Sequence, residues 1–314
     1  SHNYNEYMTW FPAVAQAWRT AFGDETLNFN TVQIAGWDKG TSFPDFRQTQ
    51  LQLALKDENV DMASAVDLGE TGGDPNDDIH FGYKQPVGER LAKNALVRFY
   101  GKSVGNYGPM FDKLTKTADG MEISFTHADG LKAQSRTSMY SESFAADSAV
   151  KGLEISKNGT DWEATDASIS GSKLKITCGA DYKYVRYAWT VNAVTASDIS
   201  GVNLYNGANL PAYPFAVSTE TALGTVSARI ADGKATISAS VPVSDSLTRD
   251  AKLLVAYYNA DGTLKDVAIE TVRFILNDSS VYTCQVDVNG ADSIKAMVLD
   301  DLTSIRPLAV QSAE

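Results

Sequence analysis

Val60-Asp61-Met62-Ala63-Ser64-Ala65-Val66-Asp67-Leu68 is the stretch on which the fold reading turns. It reads as a buried strand. Before it, residues 44–55 read as a helix with Pro44 in the first turn, where a missing N–H costs nothing. Residues 30–34 are β-branched and apolar, which suits a first strand. Further upstream, Tyr7, Trp10, Phe11, Val14, Ala17 and Trp18 recur at spacings of three and four, one face of a helix, with Gly23 as its stop. Downstream, residues 85–100 read as a third helix with Val87, Leu91, Ala95, Leu96 and Phe99 on one side, ended by Gly101. Helix, strand, helix, strand, helix is the pattern of a parallel α/β sheet. Two strands cannot bury two helix-covered faces. Residues 1–101 are therefore expected to be the second half of an α/β domain. The opening Ser1-His2-Asn3 carries no Met, no basic region and no signal-peptide core, so the first half is expected on polypeptide outside this chain.

Beyond residue 101 the texture changes. Short strand-like runs at 121–125, 153–156, 174–178 and 184–191 are separated by Gly, Asn and Asp, as in a β-sandwich. A second such region spans 226–308, with runs at 235–241, 253–258, 267–275, 282–288 and 294–299 and an Asp261-Gly262 hairpin signal. Residues 218–224 suit a linker. The expected organisation is thus 1–101, 102–218 and 219–314.

The chain has 314 residues, with 27 Lys+Arg against 39 Asp+Glu and a net charge of −12. That balance argues against nucleic acid or anionic membrane as a partner. A hydrophobic content of 43% with 21% charged residues excludes wholesale disorder. No apolar run approaches a membrane span. Two cysteines, Cys178 and Cys284, are too few for a disulfide framework or a cysteine-rich zinc site.

Of the three histidines, His80 stands in Asp74-Pro75-Asn76-Asp77-Asp78-Ile79-His80, between a predicted strand and a predicted helix. Sites in open α/β sheets form at the carboxyl ends of strands. A carboxylate two or three residues upstream, Asp78 or Asp77, can hold the imidazole Nδ1–H and leave Nε2 as a base toward a serine. The bland alternative is a surface histidine in an acidic loop. Asp74, Asn76 and Asp78 also imitate the start of a calcium loop, but Ile79 and Gln85 occupy the positions that need Gly and Glu. No nucleophile is evident. Ser42 and Ser103 follow Gly-x without a strand-to-helix elbow, and both cysteines fall inside strand patterns. A base and its orienting carboxylate without a nucleophile is what half of an α/β hydrolase domain presents.

These segments resemble a known family. Trp10-Phe11-Pro12-Ala13 with Trp18-Arg19, Val32-Gln33-Ile34-Ala35, Phe46-Arg47-Gln48-Thr49-Gln50, Val66-Asp67-Leu68-Gly69-Glu70, Asp78-Ile79-His80 and Lys84-Gln85 are similar, in order, to the later portion of bacterial sialate O-acetylesterases of the SGNH type. Val185-Arg186-Tyr187-Ala188-Trp189, Asn203-Leu204-Tyr205-Asn206 and Leu210-Pro211-Ala212 continue the resemblance to about residue 218. The sequence departs from the family at Phe81, where Pro is usual, and at the inserted Gly72-Gly73.

The resemblance implies the C-terminal half of an SGNH-like α/β/α hydrolase domain (1–101), a β-sandwich region of the esterase core (102–218) and a C-terminal Ig-like β-sandwich (219–314). It implies a serine esterase that removes acetyl groups from sialic acids or another acetylated sugar, with no cofactor and no metal. His80 matches the base, Asp78 the orienting carboxylate, and Asp77 is the alternative. The nucleophile belongs to a Gly-Gln-Ser-Asn block on an N-terminal segment. A secreted or cell-surface protein of a gut bacterium is expected. The competing readings are a non-catalytic carbohydrate-binding protein on a decayed esterase scaffold and an acetyl xylan esterase. Arg19, Arg47 and Arg90 could face a sialic carboxylate, but their helical settings equally suit structural roles.

Overall fold

The computed structural model describes residues 4–36, 43–68, 81–138, 140–189 and 201–311. The chain divides into two compact units, Ser1–Ser218 and Thr219–Glu314.

The first unit begins with α1 (Tyr4–Phe22), β1 (Phe29–Gln33), α2 (Phe43–Lys56), β2 (Val60–Ser64) and α3 (Gln85–Tyr100). β1 and β2 pair in parallel, Phe29 opposite Val60 through Gln33 opposite Ser64. Every residue of β2 is buried. On α1 only part of the apolar face that the spacing selects turns inward: Tyr7 and Phe11 are half-buried and pack on Phe46 and Phe29, in one row with Ala15 and Arg19. Ala15 and Arg19 are buried, whereas Trp10, Val14, Trp18 and Phe22 are exposed. Arg19 decides this rotation. Its guanidinium donates to both carboxylate oxygens of Asp57, at 2.7 and 3.2 Å, and to the Leu27 carbonyl. On α3 the same thing happens: Pro86, Arg90 and Asn94 point inward, while Leu96 and Phe99 are exposed. Gly101 ends the helix in the left-handed region at φ 60°, its N–H donating to the Leu96 carbonyl, the geometry that glycine adopts without a steric penalty.

The rest of this unit is β. The strands are β3 (Met110–Thr117), β4 (Gly120–Thr126), β5 (Lys132–Arg136), β6 (Phe144–Ala146), β7 (Leu153–Ser156), β8 (Glu163–Ala164), β9 (Ser168–Ser170), β10 (Lys173–Thr177), β11 (Tyr184–Tyr187), β12 (Leu204–Tyr205) and β13 (Phe215–Ser218). They form three sheets, ordered β3-β4-β10-β9, β13-β11-β7-β8 and β12-β5-β6. Alternation builds the core between the first two. Met121, Ile123, Leu174, Ile176, Leu153, Ile155, Val185 and Tyr187 are buried. The Phe215 ring sits among Phe111 at 5.3 Å, Phe125 at 5.8 Å and Tyr187 at 5.8 Å. Burying each such ring contributes about 1.5–3 kcal/mol.

The second unit comprises β14 (Gly224–Ala231), β15 (Lys234–Ser240), β16 (Thr248–Tyr258), β17 (Leu264–Ile275), β18 (Tyr282–Asp287), β19 (Ser293–Leu299) and β20 (Pro307–Gln311). They join in one sheet, β17-β16-β19-β20-β14-β15-β18, in which β14 and β20 run parallel. Its core includes Ile237, Leu253, Val255, Tyr257, Phe274 and Val298.

The expectation of an SGNH-like α/β/α hydrolase half is corrected here. The described residues hold three helices, with 17% helix against 42% strand in several sheets. The only parallel sheet among the described residues of the first unit is the β1–β2 pair. A two-stranded sheet offers little surface for helices to cover, and α1 and α3 accordingly present large apolar side chains to solvent. A β-sandwich is consistent with the remainder.

Candidate functional site

The carboxyl ends of β1 and β2 lie side by side, because the two strands are parallel and in register. The Ser64 hydroxyl donates to Gln33 Oε1 at 2.8 Å, and Gln33 Nε2 donates to the Arg47 carbonyl at 3.1 Å. The Gln50 side chain bridges the outer edge of β1: its Nε2 donates to the Val32 carbonyl and its Oε1 accepts from the Ile34 N–H. An amide side chain thereby satisfies strand groups that have no neighbouring strand.

Asp67 follows β2 and is completely buried. Arg90 of α3 grips it with two parallel bonds, Nη1 to Oδ1 at 2.7 Å and Nη2 to Oδ2 at 2.8 Å, and Nη1 also donates to the Ser64 carbonyl at 2.6 Å. Arg136 of β5 donates to Oδ2 from Nε and Nη2, at 3.3 and 3.2 Å, and the Tyr205 hydroxyl of β12 reaches the same oxygen at 3.2 Å. Arg136 also binds the Glu142 carboxylate at 2.6 Å and lies over the Phe144 ring at 5.2 Å. Burial raises the carboxyl pKa, but the two guanidinium groups outweigh it and hold Asp67 at about 2. Arg90 and Arg136 are both held above the ordinary arginine value, because attraction to Asp67 exceeds the penalty of their own burial. Bidentate pairing is the form in which buried charges are tolerated.

The sequence-predicted residues Asp77, Asp78 and His80 lie outside the described residues, as does Ser42. Their described neighbours on both sides are packed. Leu68 joins Ala35 and Ala65 in a small apolar cluster at the strand ends, and Phe81, which follows His80, packs against it with Val32 and Val87. Lys84 Nζ lies 3.8 Å above the Phe81 ring. Phe81 is therefore an apolar anchor beside the strand ends.

Other candidates have structural roles. Ser103 is exposed in the segment after α3. His127 takes a positive φ of 53° and lies 5.1 Å from the Tyr107 ring, with burial lowering its pKa. Cys178 and Cys284 are both free, and burial raises each thiol pKa, away from reactive thiolate character. Arg19 and Arg90 bind Asp57 and Asp67. Arg47 is fully buried, and desolvation lowers its pKa to about 10. Among the described residues no group of three or more His, Cys, Asp and Glu is placed to hold a metal ion, and no helix is long and apolar enough to cross a membrane. Arg136 escaped sequence reasoning, and Tyr205, although inside the Asn203-Leu204-Tyr205-Asn206 segment, has no role assigned to it there. Nothing in the local pattern of β5 or β12 points at Asp67.

This fold is of an esterase-like kind. It is similar to the crystal structure of a carbohydrate acetylesterase from Xanthomonas citri, with a TM-score of 0.56 and 26% identity, covering 68% of this chain and 46% of that one. The chain thus spans less than half the length of that protein. No family model matches the chain, and no curated protein matches it.

Proposed function

We propose that this chain is part of a carbohydrate O-acetyl esterase of the sialate O-acetylesterase type. The observation that carries the reading is the likeness to a carbohydrate acetylesterase at 26% identity. The packed residues on either side of 69–80, at the ends of two parallel strands, support it.

In this reading a serine on a segment outside the chain attacks the acetyl carbonyl carbon. His80 takes the serine proton, and Asp78, or Asp77 in its place, holds the imidazole in the productive tautomer. The tetrahedral intermediate collapses as His80 returns the proton to the departing sugar oxygen, leaving acetyl-serine. Water, deprotonated by His80, then releases acetate and restores the serine.

The test is acetate release from O-acetylated sialic acid, and from acetylated xylan for comparison, by the complete protein and its His80→Ala variant. A triad histidine contributes about 10⁴-fold or more to turnover, so the variant is expected to lose at least a thousandfold. A variant as fast as the parent would remove His80 from the mechanism. Preference for acetylated xylan would keep the esterase and change its substrate.

A further inference from the structure

We infer that the β7–β8 hairpin of the first unit carries a second sugar subsite, which takes a neutral hexopyranoside and performs no chemistry. A surface pocket of about 370 Å³ is lined there by Lys157, Asn158, Asp161, Trp162, Glu163 and Tyr182. That volume lies within the roughly 300–1,000 Å³ of small-ligand pockets. It combines two aromatic rings with an amide, two carboxylates and an ammonium group, the mixture a pyranoside requires. The C–H face of the sugar ring packs on an aromatic surface, and its hydroxyls need both donors and acceptors.

The site is held in shape before any ligand arrives. The Ser156 Oγ accepts from the Asn158 and Gly159 N–H groups, at 3.3 and 3.0 Å, while Asn158 Oδ1 accepts from Thr160 and Asp161, at 3.0 and 2.9 Å. Gly159 adopts φ 80°, and a Cβ there would press to 3.2 Å on the Tyr184 ring. Register sets Glu154 opposite Arg186. Arg186 binds Glu154 through two bonds and lies 4.2 Å from the Trp162 ring centre. Lys157 pairs with Asp181 at 2.6 Å and lies 4.9 Å from the Tyr182 ring centre, and the Tyr182 hydroxyl donates to Glu163. A site ordered in advance loses less entropy on binding.

Charge selects the ligand. Asp181 neutralises Lys157 and Glu154 neutralises Arg186, which leaves Asp161 and Glu163 as net negative charge at the pocket. An anionic sugar is repelled, while a neutral one finds strong acceptors for its hydroxyls. The subsite therefore serves a neutral residue of a glycan, not its acidic end.

The experiment titrates the intact chain with the methyl glycosides of glucose, galactose and mannose, and with N-acetylneuraminate, following tryptophan fluorescence and calorimetry. Saturable binding of at least one neutral glycoside is expected. Trp162→Ala should weaken it about tenfold or more, the scale of one lost aromatic contact. Glu163→Gln, which keeps the size of the side chain, should weaken it several-fold without lowering the melting temperature. Acetyl-ester hydrolysis by the complete protein should be unchanged in both variants, so this subsite and the esterase reading stand or fall separately. No saturation by any neutral glycoside, unchanged affinity in both variants, or stronger binding of N-acetylneuraminate would overturn the inference.

Discussion

Arg136 and Asp67 stand 69 residues apart in sequence and meet at 3.2 Å in a site with almost no solvent. Together with Arg90 they tie the end of β2 to a helix on one side and to the β-rich region on the other. The carboxylate serves two guanidinium groups, and both are buried. Removing its charge leaves two desolvated cations with one partially exposed carboxylate, Glu142, between them. Asp67→Asn is therefore expected to destabilise the first unit by about 3–5 kcal/mol, the usual cost of breaking a buried pair from one side. Urea unfolding followed by circular dichroism measures it. A loss below about 1 kcal/mol would show that the cluster relaxes or admits water.

The same carboxylate sets a pH dependence whose direction is fixed. Its pKa is depressed to about 2 in the folded protein, against about 3.9 in an unfolded chain. The stabilisation is complete above about pH 5 and is lost as the pH falls from there through 2, because the unfolded state takes up the proton first. The contribution at neutral pH is on the order of 2–3 kcal/mol by this linkage. The stability difference between the parent and Asp67→Asn should thus be constant from pH 7 to about pH 5 and shrink toward pH 2. Unfolding midpoints across that range decide the matter, and a difference that grows on acidification would contradict the assignment.

Asp78 and Asp77 make distinguishable predictions about the esterase. If Asp78 holds the imidazole, Asp78→Asn in the complete protein should lower kcat by about 10³–10⁴-fold through the wrong tautomer, while Asp77→Asn stays within about tenfold. The reverse ranking would assign the role to Asp77. Equal small effects in both would point to an orienting group elsewhere.

The helices and strands of the first unit were legible because local signals agreed. α3 runs over Gln85–Tyr100, as expected from its apolar spacing and the Gly101 stop, and β2 covers the first five residues of 60–68, the remainder lying in a turn. What local pattern could not supply was which side of each helix faces inward. Apolar spacing picked Tyr7, Trp10, Phe11, Val14, Ala17 and Trp18 on α1; Tyr7 and Phe11 do pack inward, whereas Trp10, Val14 and Trp18 face solvent and Arg19 reaches Asp57 from the inward side. On α3, Arg90 and Asn94 took the inward side because Asp67 and Asn30 wait for them there, at 2.7 and 3.0 Å. Polar residues buried by partners distant in sequence leave no periodic trace. The two-strand grammar was likewise read correctly as strands and helices, but it was extended to an α/β/α domain that the sheets do not form. Asp67 lay inside a motif chosen by resemblance. Its partners Arg136 and Tyr205, contributed by short strands far along the chain, could come only from the tertiary structure.

Gly108 offers a test of how tightly the segment between α3 and β3 is seated. A Cβ there would fall 1.9 Å from the Pro211 carbonyl oxygen and 2.8 Å from its carbon. Both obstacles are backbone, so no rotamer change relieves them. The neighbouring main chain is fixed as well: the Tyr213 N–H donates to the Pro109 carbonyl at 3.0 Å, and Asn206 Nδ2 donates to the Tyr107 carbonyl at 2.9 Å. Tyr213 in turn donates its hydroxyl to the Met62 carbonyl of β2 at 2.7 Å, so displacing 107–109 strains the connection to the buried strand. Gly108→Ala is expected to cost about 3 kcal/mol, the upper range for overpacking a rigid interior, and to lower the melting temperature of the first unit. Gly171→Ala is the control. Gly171 has open space around it and a φ of 62°, so its cost is confined to the left-handed backbone, about 1 kcal/mol. If the two variants melted together, the close approach at Pro211 would carry no weight in the folded state.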